Sequence, residues 1–400
     1  MDSKGWSGPL SSSSTKEFGM TSCKCCQDVR KGPMMLRIAQ SHPLKPAKGR
    51  ATWVRLRTSA MRLSRWLSFV PIILCTVACA QQKSIPLVKV ADVPLPGAAV
   101  RFDYQSFDQS SGRLYIAHMN ANQLVVFDVY KRAVVANLDG FPSVHGVWAV
   151  PELGRVYASA TGEHELAVVD MNTLKTLAKV GPINYPDGIA YAPGPKRIFV
   201  SDEHGDADAV VDATTNALVT SIPLAGGAGN TVYDPRAKRI LVGVHRKDEI
   251  AAIDPDTLKI TGRYPLPGIE NPHGIALDPS ENLAFVAGEG NAKLALVDLA
   301  DMRVLETHPV GEDPDVLAFD QGLKLLYVSA ESGDVRVFHV SRRHLVPVGG
   351  VSMPYAHTVS VDADTHLVYF PLQNIHGHPL LRIMEFKPAV PVMEEVLLAH

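Results

Sequence analysis

Residues 113–128 read RLYIAHMNANQLVVFD, residues 155–170 read RVYASATGEHELAVVD and residues 197–212 read RIFVSDEHGDADAVVD. These are one pattern written three times, 42 residues apart. Each holds two short apolar runs around a turn of Asn, Gly, Asp and His, which is how a tight antiparallel strand pair reads. The second run continues as IAAID (250–254) and LALVD (294–298), with a final copy VRVFH (335–339) carrying His339 in the acidic slot. The acidic residues Asp128, Asp170, Asp212, Asp254 and Asp298 each precede a turn segment. A short carboxylate there can accept backbone N–H bonds, a structural role.

The first run recurs seven times, at 113–117, 155–159, 197–201, 239–243, 283–287, 325–329 and 367–371. A third strand precedes it, as in DGIAYAP (187–193), NTVYDP (230–235) and HGIALDP (273–279). Units of about 42 residues with three or four short strands are the signature of a radial repeat. The expected fold is therefore all-β, a seven-bladed β-propeller spanning 81–400. The strand PLVKVADVPL (86–95) has no blade of its own and is expected to close the ring as the outer strand of blade seven; the tail at 389–400 is the alternative. Closure removes the edges through which sheets aggregate.

The segments YIAHMNANQLVVFDV, FVSDEHGDADAVVDA, YVSAESGDVRVFHV and PHGIALDP resemble the YVTN-repeat propellers, the family of the YncE-like secreted bacterial proteins. The resemblance covers about residues 84–388. It implies the propeller fold and permits several functions, because propellers carry binding modules and enzymes alike.

Residues 61–80, MRLSRWLSFVPIILCTVACA, place Arg62 and Arg65 before an apolar run that ends in small residues. That is the layout of a secretory signal peptide. Cleavage after Ala80 would release a soluble protein. Alternatively, Thr76–Cys79 resembles a lipoprotein box, with Cys79 as the lipidated residue. Residues 1–60 then read as a non-native or disordered leader. A periplasmic or extracellular location is expected, with membrane contact only through such a lipid anchor. All five cysteines lie before residue 80, so the body carries no disulfide. The body is acidic, with 26 basic against 38 acidic residues in 81–400. That balance disfavours nucleic acid as a partner. A monomer is expected, with an envelope protein or a small molecule as its partner.

The repeat also locates candidate functional residues. Stepping back twelve residues from the third position of each first run gives Asp103, His145, Asp187, Gly229, His273, Asp315 and His357. These residues start the innermost strands, so they should converge on one mouth of the central channel. Asp and His there can tie neighbouring blades together, bind a small ligand or hold a metal. His145, His273 and His357 would suit zinc or copper, and the carboxylates calcium; no cofactor is certain. The loops after the first runs add His118, Asp202, His204, His245, Glu289, Glu331, His376 and His378 as rim candidates. His376 and His378 would share a face if the chain there is extended. Trp148, the only tryptophan of the body, reads as packing between blades.

There is no GxSxG elbow, Walker loop, dinucleotide fingerprint or HExxH. Two functions remain. One is a binding or scaffolding module working through the His/Asp-rich face. The other, on a similarity to lactonases and streptogramin lyases, is a metal-dependent hydrolase or lyase. In it Asp187, Asp315 and channel histidines would hold the ion and another ring histidine would move the proton. No complete motif of either enzyme family falls on these positions.

Overall fold

A computed structural model describes residues 87–387. The expected leader, the signal segment with Cys79 and the tail 389–400 lie outside the described residues. Those described fold into seven four-stranded antiparallel sheets. Blade one runs Gln105–Asp108, Arg113–His118, Gln123–Asp128 and Ala133–Asp139 from the channel outward. Blades two to six repeat this order, starting at Val144, Pro186, Ala228, Pro272 and Pro314. Blade seven takes Ser360–Asp362, Leu367–Ile375 and His378–Phe386 from the C-terminal end, and its outer strand, Leu87–Pro94, from the other end. Leu87 pairs with Phe386 and Pro94 with Leu380, so the early strand closes the ring. Arg382 donates to both carboxylate oxygens of Asp92 at 2.8 Å across this seam.

The middle strands are apolar on both faces because each sheet is covered by a blade on either side. Val168 and Val169, adjacent in sequence, pack toward opposite neighbours. Each of the seven core clusters unites residues of two adjacent blades, from Tyr115 with Val156 around to Leu114 with Tyr369. Outer strands meet solvent and alternate instead, as in Lys259–Pro265.

The turn between second and third strands is also periodic. Asn122, His164, Asp206, Asp248 and Ala292 all take left-handed backbone there. The acidic slots behave as expected: Asp170 accepts the Asn172 and Thr173 amides at 3.0 and 2.7 Å, and Asp128, Asp212, Asp254 and Asp298 do likewise.

A second periodic contact joins the blades. Arg113, Arg155 and Arg197 donate to the carbonyls of Met171, Ala213 and Pro255, each 58 residues onward and in the next blade. Arg239 reaches the Leu299 carbonyl at 2.8 Å.

Candidate functional site

The inner strands of blades two to six break register where they enter the channel, for example between Pro186 and Ile189 and between Pro272 and Ile275. A bulge of this kind re-aims a side chain, and the ring positions of these five blades sit in it, while Asp103 and His357 precede the inner strands of blades one and seven. The glycine that follows is a packing requirement. A Cβ on Gly146 would lie 1.9 Å from the Asp187 carbonyl oxygen, and one on Gly274 would lie 1.9 Å from that of Asp315. Adjacent blades therefore meet backbone to backbone at the mouth.

All six side-chain-bearing ring residues are buried. Their contacts run in a chain. His145 Nε2 lies 3.9 Å from Asp103 Oδ2, and His357 Nε2 is 3.2 Å from Asp103 Oδ1 and 3.1 Å from Asp315 Oδ2. His273 Nε2 is 3.2 Å from Asp315 Oδ1 and 3.9 Å from Asp187 Oδ2. Acid and imidazole thus alternate around the ring, with Gly229 as the gap. The ring borders a cavity of about 150 Å³ lined by six carboxylates: Asp103, Asp187, Asp315, Glu203, Glu289 and Glu331. Among the described residues Arg101 is the only Lys or Arg on its wall; it bonds Glu331 at 2.8 Å and lies 3.1 Å from His357 Nε2.

Burial and mutual charge set the ionisation. Burial alone would depress His273, yet the bond to Asp315 and the surrounding carboxylates lift it well above the usual imidazole range. His357 is likewise raised, against its burial, by Asp315 and Asp103. Asp315 is lowered: burial pushes it up, but His357, His273 and Arg101 more than offset that. Asp187 goes the other way, well above the carboxylate range, through burial and then the nearby Asp103. It is 2% exposed, and its Oδ1 has no hydrogen-bond partner among the described residues. Burial also raises Glu289 and, strongly, Tyr104.

The rim candidates separate. Glu289 and Glu331 line the cavity. His245 is buried against the ring, with Nε2 3.0 Å from His273 Nδ1, and burial followed by the charge of His273 pushes it down to about 3. His204 packs on Tyr185 with ring centroids 4.0 Å apart. Asp202 is taken up by the amides of Asn184, Tyr185 and Gly205, a loop anchor. His118 is buried, stacked on Phe102 and off the cavity wall. His376 and His378 are exposed, and His376 sits in a left-handed turn (φ 53°) rather than on an extended strand. His145, His273 and His357 do not gather around one point. Among the described residues the metal-capable groups within 4.8 Å are His245–His273–Glu289 and Asp103–Asp315–His357.

Four wall residues escape the twelve-residue step. Arg101 and Tyr185 precede ring residues by two, and Tyr104 follows one by one. Tyr104 is bonded to His273 at 2.9 Å and to Asp315 at 3.2 Å. Tyr185 is 3.1 Å from His145 Nε2. Glu203 belongs with His245, Glu289 and Glu331 to a second periodic set, four residues after the same reference position. His245, Glu289 and Glu331 of that set are already rim candidates, and counting four residues forward adds Glu203 to them. Trp148 departs from the expectation of interblade packing: it is 41% exposed and lines a cavity of about 280 Å³ in the channel bore, with Tyr104 on the wall of both cavities.

No protein-family model matches the sequence, and no curated protein matches it. Among solved structures the fold is similar to Kuenenia stuttgartiensis hydrazine synthase, with a TM-score of 0.61 and 15% identity over 73% of this chain and 96% of that one. At that identity the likeness is one of fold.

Proposed function

We propose that the chain is an exported propeller of the YVTN/YncE-like kind that works as a binding module, its channel mouth holding a small cation. The repeat segments support the family and residues 61–80 support export. The observation that carries the ligand class is Asp187: a buried carboxylate with an unpartnered oxygen, on a wall of six carboxylates and one guanidinium. A polar atom buried without a partner is costly, and a cation in the cavity would satisfy it.

Calorimetric titration of the full chain, with its five cysteines changed to serine, against zinc, copper and calcium salts near neutral pH tests this. One saturable site is expected, weakened tenfold or more in a D187N/D315N variant that keeps its fold. No saturable uptake of any of these ions, or equal uptake by the variant, overturns the reading.

A metal-dependent hydrolase or lyase is the second reading. Its support is the His145–Tyr185 pair, a proton-carrying couple on the same cavity. It requires metal-dependent turnover of lactone or lyase substrates that is lost in both H145Q and Y185F.

A further inference from the structure

We propose that His245, His273 and Glu289 form a three-point site for a transition-metal ion of the zinc or copper class, at the seam between blades four and five. The inference rests on the cation-binding reading above and names the residues and the ion class.

His245 opens the turn after strand Arg239–Val244 of blade four. His273 enters the channel at the start of blade five, and Glu289 opens the turn after that blade's second strand, Leu283–Gly288. His245 Nε2 is 3.0 Å from His273 Nδ1, and His273 Nδ1 is 3.5 Å from Glu289 Oε1. Ligands at about 2.0–2.1 Å from a tetrahedral zinc are separated by about 3.3 Å, so both spacings match edges of that tetrahedron. Two ring nitrogens at 3.0 Å must share a proton, and an ion takes both lone pairs by releasing it.

The far nitrogen of His273 faces Asp315 Oδ1 at 3.2 Å. A carboxylate holding the outer N–H of a metal-binding imidazole fixes its tautomer and turns the other lone pair toward the ion. Two imidazoles with one carboxylate favour zinc or copper over calcium. Asp187 Oδ1, buried and unpartnered on the same cavity, offers an acceptor to water on that ion.

Gly229 explains why the site lies here. It is the one ring position without a side chain, and a Cβ on it would come within 2.8 Å of His245 Nε2 and 2.5 Å of the Pro272 carbonyl oxygen. The gap in the ring is the space through which His245 reaches His273. The other group, Asp103–Asp315–His357, has the Arg101 guanidinium 3.1 Å from His357 Nε2, a fixed cation beside the ligand atom. Arg246, next to His245, is engaged by Asp206 at 2.6 Å.

The test is Cu²⁺ titration of the full chain followed by electron paramagnetic resonance, with Zn²⁺ as competitor. An H376A/H378A background with the five cysteines changed to serine removes the exposed histidine pair and the thiols that would bind Zn²⁺ or reduce Cu²⁺. One tight Cu²⁺ is expected, coupled to two imidazole nitrogens and displaced by Zn²⁺. H245Q should lose one nitrogen coupling, and H245Q, G229A and E289Q should each weaken binding tenfold or more, while H357Q stays within about twofold. Circular dichroism checks each fold, and E289Q, altered at a partly exposed side chain, stands in for any variant that unfolds. Unchanged binding in H245Q and G229A, or a loss confined to H357Q, moves the ion to the other group: this inference falls and the cation-binding reading stands. No tight Cu²⁺ or Zn²⁺ in the folded parent chain overturns this inference, and calcium uptake then decides the broader reading separately.

Discussion

Asp208 occupies a position where other blades carry Leu124, Leu166, Ile250, Leu294 and Val335, all fully buried. Its carboxyl is just as buried, takes a bond from Thr231 Oγ1 at 3.2 Å and has no partner for Oδ1 among the described residues. Burial pushes it up to about 7. The folded value thus lies above the unfolded one, near 3.8. The folded state holds this proton more tightly, so the stability it contributes is complete below about pH 4, falls as pH rises toward 7 and is gone above that. The whole effect is at most about 4 kcal/mol. An isosteric D208N variant should therefore gain on the parent chain as pH rises from 5 to 8, read as urea midpoints at both pH values; an equal pH slope in the two proteins would refute the assignment. Asp187 has the same sign of shift but faces the cavity. D187N should likewise melt at a higher temperature than the parent above neutral pH while binding cations more weakly. A fall in both stability and binding would show that the carboxylate holds the mouth together instead.

At the scale of the element, the repeating arginine that starts a second strand is an interblade staple. Arg239 is held by Asp234 at 3.1 Å and donates to the Leu299 carbonyl of the next blade at 2.8 Å. Charge-assisted bonds of this kind stabilise by about 1.5–3 kcal/mol. R239A should lower stability by about 2 kcal/mol, seen as a lower urea midpoint with an unchanged slope; a change within about 0.5 kcal/mol would mean that water replaces the bond. The elements also show what the sequence makes legible. A 42-residue period fixes the number of blades and the ring from Asp103 to His357, because both depend on spacing alone; which end of the chain supplies the closing strand depends on pairing between distant segments and is read only from the structure. The residues that complete the site depend on contacts between blades. His245 looks like an ordinary rim histidine until Gly229 is seen to leave it room. Asp202 looks like a ligand until the amides of Asn184, Tyr185 and Gly205 are found on it. His376 and His378 look paired until the turn between their strands takes the left-handed backbone. Trp148 looks like core because an apolar bore and a core have the same composition along one strand.

At the scale of the molecule, no blade has a core of its own. Every apolar cluster is shared by two neighbours, so the seven interfaces form a closed circuit, and the one joining blades seven and one is made partly by Leu87–Pro94. That strand brings Val90 and Val93 onto the cluster of Phe102, Leu114 and Tyr369, and it covers the edge of His378–Phe386. Its bidentate Asp92–Arg382 pair ties positions 290 residues apart in sequence. Weakening the pair should open blade seven first, because an uncovered edge is the least protected part of a sheet. In D92R two guanidinium groups face each other across the seam. Amide exchange in His378–Phe386 should then accelerate at least tenfold, with little change in the inner strands of blades three and four, and light scattering should show edge-to-edge association. D92R/R382D restores opposite charges with the ends exchanged and should recover most of the protection. If the double variant exchanges as fast as D92R, the pair does not hold the seam and closure rests on Val90, Val93 and the backbone ladder. If exchange accelerates evenly around all seven blades, the ring opens as one cooperative unit, and the early strand is a condition for the whole fold rather than a local clasp.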